Sequence, residues 1–349
     1  MFIFVCKTGI NMKIIKSLLM LLCVAFSSVC AQNVHNQHVP RLSDTEFLTS
    51  YQSSLSIDDY HANEDFKPFK YLDVGVTLGS TGVGVEFVSP LNNILQLRGG
   101  FSIMPKFEYD MVFELGVGKD GQMSQSRFEQ LAGMLEGFTG YKVDDKVDAI
   151  GEPTFHNFNI LLDIFPFKNK KWHLTAGFYV GPSKIAEAVN AMSEMPSLLA
   201  VGMYNTMYEK AENDEPVIIL GDLAIFRPDL VDYGRMGMYL GRKKDGTAYM
   251  MEPDDESIVH ADMKVNSFKP YIGFGYGSNR LNSNSKYNVS FDCGIMLWGG
   301  RPQVITHDGT DLIKDMSFIV DGNVKKYVDI VKKVKVFPVL NVKITRRLF

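Results

Sequence analysis

From Tyr71 onward the chain alternates apolar and polar or small positions in runs of about seven to fourteen residues. Tyr71–Leu78 sets Leu72, Val74, Val76 and Leu78 against Asp73, Gly75 and Thr77. Gly82–Val88 sets Val83, Val85 and Phe87 against Gly84 and Glu86, and Ile94–Met104 sets Leu95, Leu97, Phe101 and Ile103 against Gln96, Arg98, Gly100 and Ser102. The same alternation recurs over Phe155–Phe165, Lys171–Gly181, Phe268–Tyr276 and Tyr287–Trp298. It returns in Val336–Phe349, where Leu340, Val342, Ile344 and Leu348 share one face and Asn341, Lys343 and Thr345 the other. A period of two over such lengths predicts strands with one apolar face. One such run is ordinary, because any half-buried strand shows it. Eight in succession, the last finishing on a half-apolar strand, predict an all-β fold: a closed antiparallel transmembrane barrel of about eight strands. A count of ten follows if Arg301–His307 or part of Tyr109–Gly118 also crosses.

The connections alternate in length. Those after the second, fourth and sixth strands are short, at Ser89–Asn93, Pro166–Lys170 and Gly277–Lys286. Three opposite connections are long insertions, 105–154, 182–267 and 299–335, within a barrel unit spanning 71–349. Short turns on one side and long loops on the other are the expected asymmetry of an outer-membrane barrel. The tight turn at Gly79–Thr81 departs from it. Within the loops, Ser183–Glu194 and Leu198–Ala211 read as helices separated by Pro196, and Asn323–Val334 reads as an amphipathic helix flanked by Lys325, Lys326, Lys332 and Lys333. This last segment either lies on an anionic membrane surface or caps the barrel mouth.

The amino-terminal segment changes the picture in one respect. Residues 1–31 carry Lys7, Lys13 and Lys16 and no acidic residue, then the apolar run Ser17–Phe26, then small residues up to Ala31. That order is a secretory signal cut after Ala31, with Met12 as an alternative start. A rival reading is a lipoprotein acylated on Cys30, although Val29 is bulkier than such a site prefers. Residues 32–70 are polar and weakly periodic and read as a flexible periplasmic lead-in. Three of the four cysteines lie in the signal, so only Cys293 remains and no intramolecular disulfide forms. The formal net charge of −4 becomes −7 without the signal's three lysines, which argues against a nucleic-acid partner.

Three stretches carry a family resemblance: Leu161-Leu162-Asp163-Ile164-Phe165-Pro166-Phe167 followed by Leu174-Thr175-Ala176-Gly177; Pro270-Tyr271-Ile272-Gly273-Phe274-Gly275; and Phe337-Pro338-Val339-Leu340 onward. In these the chain resembles the small outer-membrane β-barrels of Gram-negative bacteria, of the kind seen in the OmpA membrane domain. The resemblance implies an outer-membrane location, contact with outer-membrane lipids and lipopolysaccharide, and recognition by the barrel-insertion machinery. Related termini usually place the final aromatic on the apolar face, whereas here Leu348 holds that face and Phe349 follows it.

Eight strands leave room for side chains and not for an aqueous channel. The inward-facing charges are Asp73, Glu86, Asp163 and Asp292 with Arg98, Lys269 and Lys343, and His173 beside them. Unpaired charges there are costly, so these eight residues are expected to form a hydrogen-bonded ion network that fills the lumen. Phe165, Phe167, Trp172, Tyr276 and Tyr287 flank short turns and suit a headgroup girdle. No catalytic, cofactor-binding or metal-ligating constellation stands out: no histidine pair has a ligand spacing, His156 lacks a neighbouring serine, and the acidic clusters Glu212–Glu215 and Asp254–Glu256 lack a calcium-loop spacing. The functional expectation is a non-enzymatic envelope protein that works through its loops. The alternatives are a narrow transporter or porin, and a lipid-modifying enzyme.

Overall fold

The computed structural model describes residues 71–119, 122–280, 285–319 and 322–348. The signal, the lead-in and Phe349 lie outside them. Eight antiparallel strands close into a barrel: β1 (Asp73–Gly79), β2 (Gly82–Pro90), β3 (Leu95–Ile103), β4 (His156–Ile164), β5 (Trp172–Val180), β6 (Phe268–Tyr276), β7 (Tyr287–Leu297) and β8 (Val336–Arg347). Each strand pairs with its neighbours in sequence, and β8 returns to β1, from Asp73↔Arg347 to Gly79↔Asn341. Closure leaves no strand edge over this stretch.

The alternation decides which way each side chain points. Val76, Val85, Phe101, Ile160, Leu174, Ile272, Val289 and Ile344, one from each strand, are exposed on the outer wall. Their neighbours Thr77, Glu86, Arg98, Asp163, Thr175, Tyr271, Asp292 and Lys343 are buried inside. The barrel is thus apolar outside and charged within. Inward glycines make room for the long side chains: a Cβ on Gly275 would lie 2.4 Å from His173 Nε2, and one on Gly273 would lie 2.3 Å from Tyr271 Oη.

One wall is shorter than the rest. The β1–β2 hairpin turns at Ser80–Thr81, while β8 continues past it to Val336. Leu340 N donates to Ser80 Oγ at 2.9 Å, so the hairpin side of β8 is the side of that amide. Two residues earlier, on the same side, sits Pro338, which has no N–H and needs no partner. Its carbonyl accepts the Ser80 hydroxyl at 2.9 Å.

The long insertions are a folded cap with its own core. Strands Tyr109–Glu114, Lys146–Pro153, Lys184–Asn190, His260–Lys264 and Gln303–Thr306 form one sheet, contributed by all three insertions. Strands Gly116–Lys119, Gln122–Met123, Arg235–Lys243, Ala248–Met251 and Met316–Ile319 form a second. Helices α1 (Gln125–Thr139), α2 (Met195–Glu212), α3 (Leu230–Tyr233) and α4 (Gly322–Lys333) pack with them. Phe128, Leu131 and Leu135 of α1, Leu198, Val201 and Tyr204 of α2, Met236 and Met238, and Val324 and Val328 of α4 share the core. A separate hairpin of Ile218–Leu220 and Leu223–Ile225 packs Ile218 against this core and leaves Ile219, Leu220 and Leu223 exposed.

Several expectations are corrected. Ser183–Glu194 is not a helix but the strand Lys184–Asn190 followed by a 3₁₀ turn at Met192–Glu194. Its i,i+4 pair Ile185 and Val189 mimics a helical stripe, but strands on both sides pair with it, and that tertiary pairing overrides local propensity. Pro196 does not separate two helices; it sits in the first turn of α2, where its missing N–H has no partner to lose. Arg301–His307 and Tyr109–Gly118 do not cross: both lie in the cap sheets, so the count is eight.

Candidate functional site

The lumen is organised around one guanidinium. Arg98, on β3, is fully buried. Its Nη1 lies 2.9 Å from Asp292 Oδ2 and 3.4 Å from Glu86 Oε2, and its Nη2 lies 2.9 Å from Asp163 Oδ1. Lys343 Nζ lies 3.2 Å from Glu86 Oε2 and 3.7 Å from Asp292 Oδ2. His173 Nε2 meets Asp292 Oδ1 at 2.9 Å. Neutral donors add to the shell: Gln96 donates to Asp163 at 3.1 Å, the Thr175 hydroxyl to Asp163 at 2.8 Å, and Asn159 to Glu86 at 3.3 Å. Six of the eight residues read from the sequence therefore meet in one cluster: Glu86, Arg98, Asp163, His173, Asp292 and Lys343.

The other two stand apart. Asp73 pairs with Arg280 in the β6–β7 turn and lies 3.6 Å from Arg347. Arg347 falls on the inward parity of β8 with Lys343 and Thr345, a signal the alternation already carries; Arg280 sits in a turn, where no periodicity marks it. Lys269 has no carboxylate partner among the described residues. Its ammonium donates to Asn157 Oδ1 at 3.1 Å and to the carbonyls of Ser267 at 3.3 Å and Pro182 at 3.4 Å, 5.8 Å from the Phe155 ring centre. It is a hydrogen-bonded cation under the cap and not a member of the ion network.

An apolar layer lies across the lumen at the cap end. Leu161, Tyr179, Tyr271, Met296 and Val339 pack above the charges, and Phe155, Trp298 and Phe337 stack over them with ring centres 5.4–6.3 Å apart. At the short-turn end a cavity of ≈ 10 Å³, about the room of one water, lies among Asp163, His173, Arg280, Ser290 and Thr345. Phe165, expected in the girdle, is buried at this end with its ring 5.1 Å from that of His173. Phe167, Tyr276 and Tyr287 are exposed, and Trp172 packs edge-on against Tyr276 at 5.0 Å.

The cap carries smaller polar arrangements. Asn205 on α2 bridges Met236, accepting from its N–H at 2.9 Å and donating to its C=O at 2.8 Å, and also donates to Glu252 at 3.0 Å. Burial pushes the Asp308 carboxyl up, but the Thr306 hydroxyl, the Thr310 N–H and the Tyr249 hydroxyl outweigh it and hold it below the usual carboxylate range. His260 and His307, 47 positions apart and unrelated by any spacing rule, bring their rings within 5.6 Å. No group of three metal-capable side chains occurs among the described residues. Asp254 accepts from the N–H groups of Glu256 and Ile258, so it shapes a turn.

No protein-family model and no curated protein matches the chain. Among the solved structures similar to it are two from Acinetobacter baumannii. CarO2 gives a TM-score of 0.37 at 12% identity, covering 80% of this chain and 99% of that one. CarO gives 0.34 at 13%, covering 81% and 99%. A likeness this distant carries no weight for fold or function; the eight-stranded barrel rests on its own closed ladder of strand pairs.

Proposed function

We propose that this protein is an integral outer-membrane β-barrel with a closed lumen, whose role is non-enzymatic and is performed by the folded cap at the envelope surface. The observation that carries this reading is the inversion of polarity: exposed aliphatic and aromatic side chains on the outside of all eight strands, and buried charges within. Such a wall is stable against lipid tails and unstable in water, and a closed barrel is the β-structure that satisfies its backbone there. Among the described residues no helix is long and apolar enough to cross a membrane, so the strands are the elements that would do so. Among the described residues the Arg98-centred network and the aromatic cluster occupy the axis, which favours a plugged barrel over a porin. The cap buries a core of its own, so it is a built surface and not a set of loose loops. Outer-membrane lipids and lipopolysaccharide are the proposed lipid partners, and the insertion machinery is the proposed partner in assembly.

The test combines three measurements on the full chain. Fractionation with outer membranes and heat-modifiable migration on a denaturing gel are expected. Planar-bilayer recordings are expected to show no steady channel; steady openings of nanosiemens size would replace this reading with the porin. Hydrolysis of phospholipid or lipid A by the purified protein in detergent would replace it with the enzyme.

A further inference from the structure

We propose that the lysine ridge of α4, Lys325, Lys326, Lys332 and Lys333, is a binding surface for the phosphate groups of the glycolipid that surrounds the barrel's outer rim. This rests on the outer-membrane reading above and adds to it a defined site and ligand chemistry.

The rotation of the helix is fixed by what it buries. Val324 and Val328 enter the cap core, and Tyr327 packs edge-on against Tyr109 with ring centres 6.1 Å apart. The opposite side is left to Lys325, Lys326, Lys332 and Lys333, all exposed. Residues seven apart on a helix lie nearly above one another, so Lys325 with Lys332 and Lys326 with Lys333 make two parallel columns, each about 10 Å long. The acidic residue on this side is Asp329, and the apolar one is Ile330, itself exposed. Cations beside an exposed aliphatic side chain are the make-up of a helix that lies against a charged lipid interface.

Some lysines of the cap are neutralised by carboxylates. Lys106 pairs with Glu152, Lys142 with Asp144, Lys184 with Glu187 and Asp262, and Lys264 with Asp262. The four α4 lysines, like Lys210 and Lys314, have no such pair among the described residues. Their charge is therefore available to an external anion.

Position supplies the rest. Helix α4 passes through Val334 and Lys335 directly into β8 at Val336. The β7–β8 register pairs Leu297 with Val336, and Leu297 is exposed on the outer wall, so the helix ends within two residues of the apolar belt. Lys332 and Lys333 thus stand at the level where headgroup phosphates meet the barrel, and Lys325 and Lys326 about 10 Å further along the helix. Each lysine near an anionic lipid surface strengthens binding by a similar increment, so removing four is expected to weaken it at least about tenfold.

The experiment uses the full chain folded in nanodiscs of phosphatidylcholine doped with bisphosphorylated lipid A, or with the same lipid A stripped of phosphate. The readout is glycolipid retained per barrel after detergent release, measured by native mass spectrometry. Wild type should retain the phosphorylated form at least tenfold better than the stripped form. K325Q/K326Q/K332Q/K333Q should lose that preference, while K142Q/K210Q, elsewhere on the cap, should keep it. Equal retention of both forms by wild type, or full retention by the quadruple variant, overturns the proposal. If the quadruple variant lacks the heat-modifiable shift, K332Q/K333Q and a salt titration of wild type decide: unchanged retention in both overturns it. Failure of wild type to insert would instead overturn the membrane reading itself.

Discussion

Arg98 and Asp292 join diametrically opposite strands of the barrel. Arg98 belongs to β3 and Asp292 to β7, four strands away in either direction, and the guanidinium spans the lumen with contacts of 2.9 Å to Oδ2 and 3.2 Å to Oδ1. A bidentate pair of this kind fixes both distance and orientation. It braces the barrel across its width, where the backbone ladder acts only around the circumference.

Removing that brace should cost more than removing the pair. Arg98→Met leaves Glu86, Asp163 and Asp292 facing one another with Lys343 and His173 beside them. An uncompensated buried charge costs about 3–5 kcal/mol. Arg98→Met should therefore lower the urea midpoint of the lipid-embedded barrel strongly, and Arg98→Met with Asp292→Leu should recover part of the loss. A double variant as unstable as the sum of the singles would show that the two residues do not act together.

The outer wall makes a sharper test of the membrane reading. Ile160 sits at the middle of β4 and is half exposed. A lysine at mid-bilayer on a barrel's lipid face costs roughly 2–4 kcal/mol. Ile160→Lys should deplete the heat-modifiable folded form in membranes. In a water-soluble barrel the same change would be neutral or would improve solubility.

Two glycines should respond in opposite directions to the same substitution. Gly275→Ala puts a methyl 2.4 Å from His173 Nε2 and 2.6 Å from the Phe291 carbonyl, and should displace His173 from Asp292 at a cost of about 1–3 kcal/mol. Gly133→Ala, exposed within α1 with nothing within 4 Å, should stabilise the cap by about 0.5–1 kcal/mol through helix propensity. Urea melts of barrel and cap, followed by gel shift and protease resistance respectively, would read the two signs.

The cap should open without the barrel. Asn205→Leu deprives the Met236 N–H and C=O of their partner in a buried setting, where each unsatisfied group costs about 1–3 kcal/mol. Limited proteolysis should cut between 182 and 267 while the heat-modifiable shift of the barrel persists. Simultaneous loss of both would mean that cap and barrel fold as one cooperative unit.

Strong acid should loosen the 306–310 turn. The Asp308 carboxyl is held below its usual range, so its contribution is present above that range and is lost as pH falls through the lowered value. Asp308→Asn should show faster amide exchange at Thr310 than wild type near neutral pH, and the difference should vanish in strong acid. A difference that persists at low pH would rule out the carboxylate as its origin.

The alternation of side chains set the two faces of each barrel strand by itself, while the closed ladder settled the count at eight. A period of two, sustained over eight segments with short turns between alternate pairs, fixes which residues face out and which face in, because a strand has only two faces. It thereby placed Glu86, Arg98, Asp163 and Asp292 in one interior before any contact was known. It could not say which of these charges touch. That depends on the stagger of the barrel, which brings Asp163 and Asp292 to the same guanidinium and leaves Lys269 among carbonyls under the cap. The cap was the least legible part. Its sheet is assembled from three insertions far apart in sequence, and Lys184–Asn190 is a strand because Lys146–Pro153 and His260–Lys264 flank it. Local pattern carries the direction of a side chain; only the closed ladder and the packing of distant segments decide what that side chain meets.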